Sequence, residues 1–137
     1  MDSARRFLIF LFAWSALAGP ATATAAAPAI DYAREERWAQ EVVPSIVVGD
    51  PVYLATAVRP KVLAILTVPP GPAAGGIVIV HGLGVHPDWG LIGGLRSGLA
   101  DAGYATLSVQ MPVLDANATR DDYAATLPEA AERIASA

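Results

Sequence analysis

The chain has 137 residues, 54% of them hydrophobic and 16% charged, the balance of a globular domain and far from the low-hydrophobicity, high-charge composition of disorder. Its formal net charge of −4 argues against a nucleic-acid partner. The lack of cysteine excludes a disulfide framework, a thiolate nucleophile, a zinc–thiolate site and a lipid-modified cysteine.

Residues 1–25 read as an export signal: Arg5 and Arg6, then the apolar run Phe7 to Gly19, then small residues. Ala21-Thr22-Ala23 and Ala23-Thr24-Ala25 both satisfy the small-x-small rule, which places cleavage near Thr24 or Ala26. An uncleaved anchor is the competing reading, but the apolar run has 13 residues where a span needs ~20, so no stable membrane span is expected after cleavage. Loss of residues 1–23 leaves 7 basic and 12 acidic side chains, a net charge of −5. An exported protein without disulfides points to the bacterial periplasm or to secretion.

Residues 26–137 are expected to form one α/β unit. Asp31 can cap a short helix running to Val43, with Tyr32, Trp38 and Val42 at near-helical spacing and Pro44 as its stop. Ser45 to Thr56 is rich in β-formers but broken by Gly49-Asp50-Pro51, and reads as two short strands about a turn. Val62 to Val68 is a strand closed by Pro69-Pro70-Gly71-Pro72. Ile77 to Val80 is a β-branched run without polar alternation, as in a strand covered on both faces.

The stretch Trp89 to Ala102 then puts Leu91, Leu95 and Leu99 on one stripe with Ile92 and Ala102 beside it, and ends at Gly103. Gly90, Gly94 and Gly98 recur four apart in it, each costing ~1 kcal/mol against alanine, which close helix-to-sheet approach would offset. Tyr104 to Val109 is a strand, Pro112 stops it, and a helix with Pro128 in its first turn runs from Leu127 to Ala137. This order predicts four strands of a mostly parallel sheet with helices on both faces.

The most informative element is Ile77 to Val80 emptying into His81-Gly82-Leu83-Gly84 and then a helix. It resembles the loop after the third strand of α/β-hydrolases, and the likeness continues through Trp89, Leu95-Arg96, Gly103 to Ser108 and Met111-Pro112, covering most of residues 31–137. The longer run is similar to an uncharacterised exported bacterial branch of that superfamily. The resemblance implies the N-terminal portion of such a domain, hydrolysis of ester or other acyl bonds, an oxyanion hole using the backbone amide of Leu83 with Gly84 allowing close approach, and His81 and Gly82 shaping the loop. An unknown small molecule would be the substrate or ligand.

The resemblance also implies a Gly-x-Ser-x-Gly elbow after the helix at Leu127 and an acid and histidine later still; none of the three is present in the sequence. Ser45, Ser97, Ser108 and Ser136 lack glycine-flanked elbows and read as ordinary polar positions. This chain is therefore expected to lack a catalytic residue and to be inactive by itself. The alternative is a non-catalytic exported α/β binding module.

No cofactor or metal is expected. His81, His86 and Asp88 match no familiar zinc spacing. Gly82-Leu83-Gly84 fails as a dinucleotide fingerprint because Pro87 stands at the third glycine, and no Gly-Lys-Ser/Thr phosphate loop occurs. His81 reads as a loop anchor and His86 as a rim residue.

Overall fold

A computed structural model describes residues 28–137; the export signal assigned to residues 1–25 lies outside them. Helix α1 spans Tyr32–Val42, and Asp31 caps it by accepting the Arg34 amide at 2.8 Å. Its buried positions are Glu35, Ala39 and Val42, spaced four and three apart, so a carboxylate sits in the middle of the face that docks. A short 3-10 turn containing Pro44 follows over Val43–Ser45.

Four strands, β1 (Asp50–Leu54), β2 (Val62–Thr67), β3 (Gly76–Val80) and β4 (Ala105–Val109), form one sheet in the order β1-β2-β4-β3. The count agrees with expectation, but the sheet is mostly antiparallel rather than mostly parallel. β1 pairs antiparallel with β2, and β2 antiparallel with β4; only β3 and β4 are parallel. Parallel pairing occurs where helix α2 (Leu91–Asp101) carries the chain from β3 back to the start of β4, as a parallel pair requires a crossover. The short link from Leu54 to Val62 instead turns β2 back along β1.

The segment before β1 is likewise corrected. Among the described residues no strand precedes Gly49; Val47 and Val48 are exposed, and the only strand in Ser45 to Thr56 is β1. Gly49 adopts φ +89°, and a Cβ there would come within 2.4 Å of Thr67 Oγ1 and 2.6 Å of the Leu66 carbonyl. The turn thus depends on glycine both for its dihedral and for its closeness to β2.

Paired residues in neighbouring strands face the same side, and the two faces differ. Val52, Leu54, Val62, Ala64, Leu107 and Val109 pack with Met111 and with Ala130 of helix α3 (Leu127–Ala135). On the other face Thr106 donates to the Arg96 carbonyl of α2 and Ser108 to the Pro87 carbonyl. Helices therefore flank both faces, as expected.

Three further expectations fail. The docked positions of α2 are Arg96 and Ala100, while Leu91 is 79% exposed and Leu95 is exposed as well. Gly90, Gly94 and Gly98 have open space where a Cβ would stand, so close approach to the sheet does not explain them. Strand β3 is not covered on both faces: it lies at the sheet edge, and Val78 and Val80 are 43% and 47% exposed on the side of α3.

Candidate functional site

Strand β3 delivers the chain into the loop His81–Gly90 beside an apolar groove of about 530 Å³, walled by Val80, Leu83, Met111, Pro112, Leu127 and Ile134. The groove exists because α3 covers the middle of the sheet at Ala130 but not its β3 edge.

His81 is buried at the root of this loop. Its Nδ1 lies 2.7 Å from the Gly82 carbonyl and its Nε2 accepts the Met111 amide at 2.9 Å, which assigns the neutral tautomer protonated on Nδ1. Burial holds the imidazole well below its ordinary value, at about 4; the Gly82 carbonyl opposes this, and His86 and Arg133 reinforce it. With both nitrogens engaged, His81 ties the end of β3 to the chain leaving β4. Gln110 completes the junction by donating to the Met111 carbonyl at 2.7 Å.

Leu83 is 56% exposed at the groove, and Gly84 adopts φ +71° with its Cβ position 3.5 Å from Tyr123 Oη. Neither the Leu83 nor the Gly84 amide has a hydrogen-bond acceptor among the described residues. Leu83 lines the apolar groove whereas Gly84 lines the neighbouring concavity beside α1, so of the two amides without acceptors only that of Leu83 belongs to a residue of the groove, where a donor suits a developing negative charge on oxygen. Gly82 is exposed and has open space around it.

The far end of the loop is clamped to α2 and β2. Arg96, almost fully buried, donates to Asp88 Oδ1 at 2.6 Å, to Thr67 Oγ1 at 2.7 Å and to the Val48 carbonyl. The His86 ring stands edge-on between Trp38 and Trp89, and burial lowers its pKa, opposed by Asp88 and Glu41. Among the described residues, no group of three or more His, Cys, Asp or Glu side chains is placed to hold a metal ion.

The serines are engaged elsewhere. Ser45, Ser97, Ser108 and Ser136 donate to the carbonyls of Val42, Gly93, Pro87 and Glu132 respectively. No helix among the described residues is long and apolar enough to cross a membrane.

Sequence reasoning missed the ion cluster that supports the site from beneath. Arg133 of α3 is fully buried and donates to the Gln110 carbonyl at 2.9 Å, to Glu35 of α1 at 3.1 Å and to Glu129 at 2.5 Å. Tyr32 donates to the other oxygen of Glu129 at 2.7 Å, and the Val113 amide reaches Glu35 at 3.3 Å. Burial pushes the Glu35 carboxyl up, and Arg133 pulls it back. The only sequence signal was the i, i+4 spacing of Glu129 and Arg133, which reads equally as an exposed helical pair.

Residues 69–137 match the family model described as "Protein of unknown function (DUF3530)". The match spans half of the chain and takes in β3, the loop and everything after it, and the chain belongs to this family. No curated protein and no solved structure matched.

Proposed function

With that membership as the premise, we propose that this chain is the oxyanion-side part of an exported α/β-hydrolase-like protein acting on ester or other acyl bonds. The observation carrying the reading is the amide of Leu83, a residue lining the apolar groove onto which parallel β3 opens, with the amide of Gly84 next in the chain and both without acceptors among the described residues. On this reading a carbonyl in that groove directs its oxygen at the Leu83 amide, while its apolar substituent lies along Met111, Leu127 and Ile134.

The sequence holds no Gly-x-Ser-x-Gly elbow, so on this reading the chain stabilises an oxyanion but cannot itself attack the carbonyl. Reading the coding DNA past the Ala137 codon tests this. An open frame bearing Gly-x-Ser-x-Gly soon after α3 supports the reading; a stop codon with no such motif downstream in any frame counts against it.

One observation favours a second reading, a non-catalytic exported binding module. The four serine hydroxyls discussed above donate to backbone carbonyls, and both nitrogens of His81 are engaged. A groove with donors and no nucleophile binds without turning over. Retention of an acyl ligand unchanged by the chain would support that reading over the first.

A further inference from the structure

A second concavity, of about 300 Å³, lies between α1 and residues Gly84 to Trp89. That is the small end of the roughly 300–1,000 Å³ range of ligand pockets. Its rings are Trp38, His86 and Trp89, with His86 centred 5.9 Å from Trp38 and 5.4 Å from Trp89, at interplanar angles of 65° and 87°. Trp89 is 58% exposed, an unusual place for an indole on a loop that other contacts already hold. Arg34 and Glu41 supply one positive and one negative group to the same wall.

We infer that this concavity, walled by Trp38, His86 and Trp89 and edged by Arg34 and Glu41, binds a neutral saccharide. The charges decide the class of ligand. Arg34 already lies over the Trp38 ring at 4.6 Å, so a cationic ligand would meet a guanidinium on that indole, and an anionic one would meet Glu41. A neutral ligand avoids both.

Among neutral ligands, an aromatic ring would cover the Glu41 carboxylate without offering it a donor. A sugar ring has C–H faces to set against the exposed indole and hydroxyls at its rim. Those hydroxyls donate to Glu41 and accept from Arg34 and from His86, whose Nδ1 accepts the Asp88 amide at 3.3 Å and whose proton therefore sits on Nε2. The inference does not rest on the acyl-hydrolase reading: the two sites share only Gly84, and binding here uses the side chains of Trp38, His86, Trp89, Arg34 and Glu41 and requires no turnover.

Saturation-transfer-difference NMR on the full chain, with maltose, cellobiose and N,N′-diacetylchitobiose as probes and indole and choline as comparators, tests it. At least one disaccharide should bind saturably, with Trp89→Ala weakening it tenfold or more, Trp89→Phe retaining most of it, and Glu41→Gln weakening it with an unchanged melting temperature. Binding of none of the three sugars, equal binding by Trp89→Ala, or binding of indole or choline in their place would overturn the assignment.

Discussion

The Met111 amide donates to Nε2 of His81 at 2.9 Å, joining two residues thirty positions apart at the ends of β4 and β3. Both groups are buried, so neither has water as a substitute. His81→Phe should leave the amide unpaired and cost about 1–3 kcal/mol, read as a lowered urea midpoint with an unchanged slope. An unaltered midpoint would mean the junction is not what holds the loop.

The same histidine sets a pH dependence. Its folded pKa of about 4 lies below the unfolded value of 6.5, so on acidification the unfolded chain takes up the proton first. Stability is lost as pH falls from about 6.5 to about 4 and is unaffected by this group above that window, with a total loss on the order of 3 kcal/mol. Glu35, whose carboxyl burial pushes up, contributes in the opposite direction. The contribution of His81 is therefore read as the difference between wild type and His81→Phe, and a difference flat across that window would contradict the assignment.

Arg133 bridges α1, α3 and the end of β4 from a fully buried position. Arg133→Met should destabilise by about 3 kcal/mol because the buried Glu35 carboxylate loses its nearer guanidinium and keeps only Arg59 at 3.9 Å and the Val113 amide. Adding Glu35→Leu should return part of that loss. Thermal unfolding of the two variants checks this, and a double variant no more stable than the single one would show that the penalty lies elsewhere.

Two glycines should respond to alanine with opposite signs. Gly49→Ala meets a positive φ and the Leu66 carbonyl at 2.6 Å and should cost more than about 1 kcal/mol. Gly94→Ala, inside α2 with open space at its Cβ, should stabilise by about 0.5–1 kcal/mol. Matching signs in a denaturation series would refute the local account.

Strand β3 pairs on one side only among the described residues and carries no charge between Gly76 and Val80, the combination that favours edge-to-edge association. The isolated chain should elute as aggregate or oligomer in size-exclusion chromatography, and Val78→Lys should shift it toward monomer. A monodisperse wild-type monomer would count against an unsatisfied edge.

Much of the secondary structure was legible because apolar periodicity and punctuation agree: Asp31 and Pro44 bracket α1, Pro112 follows β4, and Pro128 opens α3. Strand direction was not, since a run such as Val62 to Thr67 carries no local mark of which neighbour it joins or how. The burial pattern of the helices failed for a specific reason. Reading charge as solvent-facing put Leu91 and Leu95 inside α2, whereas the docked residue is Arg96, whose charge is met by Asp88 and whose Nη1 reaches Thr67 and Val48. Arg133 and Glu35 invert the pattern in the same way. The candidate loop was visible from His81 to Gly84; the apolar groove and the Trp38–His86–Trp89 cluster were not, because both join segments far apart in the chain.

The central claim is that the amide of Leu83, with that of Gly84 next to it in the chain, receives an oxyanion. The most direct measurement is a titration of the ¹⁵N-labelled chain with butylphosphonate, a tetrahedral anion bearing an apolar tail, followed by ¹H–¹⁵N spectra. The account predicts saturable downfield shifts of the Leu83 and Gly84 amide protons, accompanied by perturbation around Met111 and Ile134. An unmoved Leu83 amide, or shifts confined to other parts of the chain, would contradict it.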